Sequence, residues 1–162
     1  MFTADTWPIT CKMAWGPVAL DGTPIGEAGP QAWAHQLKQV RCQGFDDIDP
    51  TDDWVPFWEF DDTALRSFTA EVAKAGLRFG SLSMGRRSVV DVVDGERNLA
   101  IGHRFIELAA EWGVSVVNIG FMQAVTQEQK QALWFWHAQG HVDDPALRPL
   151  AIERVRELAD HA

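Results

Sequence analysis

The chain has 162 residues, a one-domain length, and a chain of this size buries about two-thirds of the surface its unfolded form exposes. Hydrophobic residues make up 46% and charged residues 23%, values of an ordinary globular protein and not of a disordered or membrane-spanning one. The net charge is −9, with acidic residues spread along the chain and no basic stripe, which argues against nucleic acid and anionic membrane as partners.

Met1 to Thr10 lack the basic start and apolar run of a secretory leader, and no later stretch approaches the ~18 apolar residues that a membrane span needs. The expectation is a cytoplasmic protein. Cys11 and Cys42 fall in different predicted elements without CxxC spacing, the pattern of two buried, reduced thiols. The aromatic inventory of eight Trp, nine Phe and no Tyr is unusual, so the positions of the Trp residues matter.

Four apolar runs have strand character: Ile9 to Trp15, Phe45 to Asp49, Leu77 to Met84 and Val114 to Phe121. Their starts at 9, 45, 77 and 114 fall 36, 32 and 37 residues apart, close to the repeat of a βα unit. Between them lie stretches of helical period. Trp33, Leu37 and Val40 mark the first, with Pro30 near its start and Gly44 past its end. Leu65, Phe68, Val72 and Ala75 mark the second, with Asp61 or Asp62 as its cap and Gly76 as its end. Ile101, Phe105, Leu108 and Trp112 mark the third, before Gly113. After the fourth run, Thr126 and Gln129 have capping-box spacing and open a short helix to about Trp136. A last helix carries Leu147, Ala151, Val155 and Leu158 on one face.

The pattern is α/β with parallel strands, and residues 1–162 are expected to form one domain of four βα units. Such units fit an open flavodoxin-like sheet or half of a barrel, and spacing alone leaves both open. Neither GxGxxG nor GxxxxGK[ST] follows the first strand.

Gly44-Phe45-Asp46-Asp47-Ile48-Asp49 is similar to the Gly-Phe-x-Gly-[Ile/Val]-[Glu/Asp] second strand of the xylose-isomerase-like sugar phosphate isomerases and epimerases. Ala75-Gly76-Leu77 leading to Ser81-Leu82-Ser83, Asn98 through Trp112-Gly113-Val114, and Arg156 through Ala162 resemble the pieces that follow in that family, in the same order. The resemblance implies the amino-terminal half of a TIM (β/α)8 barrel and covers most of residues 9 to 162. It also implies a metal-dependent sugar isomerase or epimerase, with cleavage of C-glycosides as a variant found in one subgroup. The family's metal ligands, a Glu, an Asp, a His and a Glu, lie on later strands, so none is carried over. A divalent metal (Mn, Mg, Zn or Co) is expected only when the other half of the barrel is supplied.

Ligands of α/β barrels and open sheets sit at the carboxyl ends of the strands, and this rule selects candidates without any alignment. Trp15, Trp54, Trp58, Trp134 and Trp136 fall there and are expected to stack on a sugar or to close the barrel mouth. Asp49, nearest the rim of the second strand, is expected to bind sugar hydroxyls, as are Ser83 and Asn118. His137 and His141, in the loop after strand four, are the candidate general acid and base, because a neutral imidazole titrates near neutral pH. The alternative to an enzyme is a non-catalytic half-barrel that associates with a second copy or another subunit, since its outer strands present unpaired edges.

Overall fold

The computed structural model describes residues 9–14, 18–85, 87–120 and 144–162. Their elements run β1 (Thr10–Met13), α1 (Pro30–Cys42), β2 (Asp47–Pro50), a 3-10 turn (Phe57–Glu59), α2 (Asp62–Lys74), β3 (Arg78–Phe79), β4 (Leu82–Met84), α3 (Gly95–Trp112), β5 (Val117–Ile119), a second 3-10 turn (Pro145–Leu147) and α4 (Arg148–His161). Each expected strand appears in shorter form. The short helix expected between Thr126 and Trp136 lies outside the described residues.

β1, β2 and β3 form one sheet in that order, and both pairings are parallel. β4 pairs with β5 in a second sheet. Leu82 N–H donates to Val116 O at 3.0 Å and Gly120 N–H to Met84 O at 2.8 Å, two bonds that step in the same chain direction, as in a parallel ladder. A parallel bridge between Thr51 and Ser83 ties the end of β2 to β4. The third expected strand is therefore present in two pieces, β3 and β4, with Gly80 and Ser81 between them. A side chain at position 80 would run into the Thr10 methyl, so glycine fits this position.

The helices form where the sequence pattern puts them, and their ends show why. Asp61 caps α2, its carboxylate accepting from Ala64 N–H at 2.8 Å. Gly76 ends it at φ +72°, with Gly76 N–H on Ala73 O at 2.9 Å and Leu77 N–H on Val72 O at 3.2 Å. α3 ends the same way at Gly113, with Val114 N–H on Ala109 O at 2.8 Å. These are Schellman closures, which use up helix carbonyls and turn the chain directly into the next strand.

The chain divides into two compact units. The first comprises Met1–Ser83 with Ala109–Val117, and the second Met84–Leu108 with Asn118–Ala162. The first has an aromatic core centred on Phe68, which is fully buried and lies within 5.6 to 6.3 Å, centroid to centroid, of Trp33, Trp54, Phe57, Phe60, Phe79 and Trp112. In the second, α4 packs on α3 through buried Ala151 and Leu158. The approach is close, because a Cβ on Gly102 would lie 3.0 Å from a Leu158 methyl. Arg154 fastens the same contact, donating to the Val89 carbonyl and pairing with Glu96.

Cys42 departs from the expectation of two buried thiols. It is exposed on the last turn of α1, whereas Cys11 is half-buried in β1, and burial raises the pKa of the Cys11 thiol. No helix among the described residues is long and apolar enough to cross a membrane.

Candidate functional site

The carboxyl end of β2 carries the site. Alternation along Asp47-Ile48-Asp49 turns Ile48 toward the helices, where it is fully buried, and turns the two carboxylates to the opposite face. There the aspartates have different neighbours. Asp47, at the amino end, is held by Arg78 in a two-pronged contact of 2.8 and 3.1 Å, and this hydrogen bond raises the pKa of the guanidinium further. Asp46 pairs with Arg41. Asp49, one pleat further on, is only 6% exposed, and its Oδ2 accepts from the Ser83 hydroxyl at 2.7 Å.

Asp49 Oδ1 is buried and has no hydrogen-bond partner among the described residues. A buried carboxylate oxygen without a donor costs free energy, about 1–3 kcal/mol or more for a charged group, which a donor arriving from a ligand relieves. The frame around it is fixed. Thr51, 1% exposed, donates from its hydroxyl to Met13 O at 2.8 Å and locks the ends of β1 and β2 together. Asp52 N–H donates to Ser83 O at 3.1 Å and holds Ser83 beside β2. In the β1–β2 register Lys12 stands opposite Asp49, so alternation gives both side chains to one face. The sequence reading missed Lys12 because its relevance depends on this register.

The structure thus joins Asp49 with Ser83, both expected to bind sugar hydroxyls. It moves Trp54 and Trp58 elsewhere. Trp54 is 4% exposed, packs against Phe68 and donates its indole N–H to Gln36 at 2.5 Å. Trp58 is 9% exposed and meets Phe57 edge-on. Stacking on a ligand needs an open ring face, and these rings are used by the core, because the chain after β2 folds back over α1 and α2. Asn118 lies exposed on β5, in the second unit. Trp15, Trp134, Trp136, His137 and His141 lie outside the described residues. A further polar frame absent from the sequence reading holds the loop before α3. There Asn98 donates to Ser88 O at 2.8 Å, and Asp91 Oδ1 accepts from Val93 and Asp94 N–H at 2.9 Å each. These bonds shape the loop and offer no open acceptor on that oxygen.

Among the described residues no three His, Cys, Asp or Glu side chains converge on a point that suits a metal ion. Asp49 and Ser83 alone do not make such a centre, since hard divalent cations take about six oxygen ligands, several of them carboxylates.

Parallel strands joined by helices between β1 and β2, β2 and β3, and β4 and β5, with β3 and β4 as two pieces of one strand, define the class: an α/β chain of four βα units that forms half of a TIM barrel. No protein-family model matches the chain, and no curated protein does. Among solved structures it is similar to a xylose isomerase-like TIM barrel protein from Mycobacterium smegmatis, crystallised in complex with magnesium, with 55% sequence identity and a TM-score of 0.87. The match covers 99% of this chain and 53% of that one, so the chain spans about half the length of its relative. The chain belongs to the xylose isomerase-like TIM barrel family, as its second-strand motif implied.

Proposed function

We propose that this chain forms the hydroxyl-binding side of a sugar isomerase or epimerase active site. The observation that carries the reading is Asp49 Oδ1, a buried acceptor without a donor at the carboxyl end of a barrel strand, where ligands of this fold bind. A sugar hydroxyl is the donor that fits it. Ser83 holds the carboxylate by Oδ2 so that Oδ1 stays aimed, and Lys12 adds a cation to the same face.

Isomerisation and epimerisation both move a proton on carbon next to a carbonyl, and a base with a pKa near neutrality serves both. His137 and His141 are the proposed bases, for an unperturbed imidazole titrates at about 6.5. The magnesium in the relative's crystal supports a divalent-cation dependence of the whole barrel.

The test is a titration of the chain with free aldoses and ketoses and with their phosphates, followed by ligand-observed NMR. Free sugars are expected to bind, and Asp49→Asn to weaken them about tenfold, or about 1.4 kcal/mol. A folded chain that binds none of them, or an Asp49→Asn variant that binds as tightly, overturns the reading.

A further inference from the structure

Lys12 pairs in register with Asp49 across the β1–β2 ladder. Neighbouring strands run about 4.8 Å apart, so the two backbones stand at about that spacing. The bond from the Thr51 hydroxyl to Met13 O, one residue beyond Lys12, fixes it there.

The two arginines that flank the amino end of β2 are engaged, Arg41 with Asp46 and Arg78 with Asp47. Lys12 is exposed, and among the described residues it makes no ion pair or hydrogen bond. Asp49 does not reach for it. The Ser83 hydroxyl takes Oδ2 from the β4 side of β2, across the strand from β1, and Oδ1 is left buried without a donor. One face therefore carries, on adjacent strands and not in contact with each other, an acceptor that lacks a donor and a cationic donor that lacks an acceptor.

We infer that Lys12 is the second ligand-binding residue of this site, and that Asp49 and Lys12 together recognise an α-hydroxy carbonyl compound. The inference rests on the sugar reading above and narrows it. Such a compound carries the complementary pair on neighbouring carbons, a hydroxyl that donates to Asp49 Oδ1 and a carbonyl oxygen that accepts from the Lys12 ammonium. The charges favour a neutral ligand. Lys12 balances Asp49, and Arg41 and Arg78 balance Asp46 and Asp47, so an anion would add an uncompensated charge beside Asp49. The same placement serves proton transfer. When a base takes the proton from the hydroxyl-bearing carbon, the C–H electron pair forms the new C=C bond and the carbonyl π pair moves onto oxygen, where the ammonium faces the negative charge.

Ligand-observed NMR titration of the full chain tests this with three probes: erythrulose, a ketose too short to close a stable ring, the four-carbon polyols formed by reducing it, and the hydroxy acid erythronate. Erythrulose is expected to bind about threefold more tightly than the polyols, since a hydroxyl in place of the carbonyl must also place its own proton. Lys12→Met is expected to weaken erythrulose about tenfold, the loss of one bond to a charged donor, and to abolish its advantage, with an unchanged urea midpoint because the side chain is exposed. A ketose that binds no better than the polyols, or one that keeps its advantage in Lys12→Met, overturns the inference and leaves the Asp49 reading standing. Erythronate binding more tightly than erythrulose would make Lys12 a reader of charge and overturn it as well. Asp49→Asn without effect on erythrulose or the polyols overturns both readings together.

Discussion

The Ser83 hydroxyl donates at 2.7 Å to Asp49 Oδ2, so one buried carboxylate is aimed by a residue 34 positions further along the chain. Among the described residues, Ser83→Ala leaves both oxygens of this carboxylate without a side-chain donor. The expected cost is about 1–3 kcal/mol, since a buried acceptor loses its partner while its own desolvation remains. Ser83→Thr keeps the hydroxyl and is expected to keep most of the stability. Urea denaturation of the three proteins checks this, and a Ser83→Ala midpoint equal to wild type would show that Asp49 is held in some other way.

Trp54 packs in the aromatic core. Trp54→Phe keeps a ring against Phe68 but loses the 2.5 Å bond to Gln36, so about 1 kcal/mol of stability is expected to go, with sugar affinity unchanged. Phe68→Ala removes the centre of the aromatic cluster and is expected to cost about 3–5 kcal/mol. Thermal melts and the NMR titration separate the two effects. A folded Trp54→Phe protein with weakened sugar binding would return this residue to the site.

The four βα units were legible because the signals that make them are local. The stripe Leu65, Phe68, Val72 is buried as its period implies, and Asp61 and Gly76 sit where α2 starts and stops. The split of the third strand was not legible, since Leu77 to Met84 reads as one run while β3 pairs with β2 and β4 with β5, pairings set by residues far along the chain. The same limit explains the tryptophans. Position in a βα loop suggested that Trp54 and Trp58 face a ligand, but their burial is decided by Phe57 and Phe68, packing partners that no spacing reveals. Asp49 was found by alternation and its nearness to the rim. Its pairing with Ser83 follows from the bridge between Thr51 and Ser83, a tertiary register that a single sequence does not display.

The closure of α2 gives a backbone prediction. Gly76 sits at φ +72° with only the Arg41 guanidinium near its missing side chain, at 3.7 Å, so space is available and conformation is the obstacle. Gly76→Ala is expected to cost about 1–2 kcal/mol, the penalty of the left-handed region for an L residue. Gly76→Asn is expected to cost less, because Asn tolerates this region. The order of the midpoints in urea, wild type above Asn above Ala, is the check.

Gly102 and Leu158 predict a coupling between α3 and α4. Alanine at an exposed mid-helix glycine stabilises by about 1 kcal/mol through helix propensity. At position 102 the added Cβ meets two Leu158 methyls at 3.0 and 3.2 Å, so the gain is opposed by overpacking of about 1–3 kcal/mol. Gly102→Ala alone is therefore expected to be neutral or destabilising. Leu158→Ala alone costs about 2–5 kcal/mol, because it empties a fully buried site. In the double variant the clash is gone, and the propensity gain and part of the lost volume return. The loss is then smaller than the sum of the single losses, with a coupling of about 1 kcal/mol or more. Four urea melts complete the cycle. Additive losses would mean that α4 moves freely enough over α3 to absorb the extra carbon.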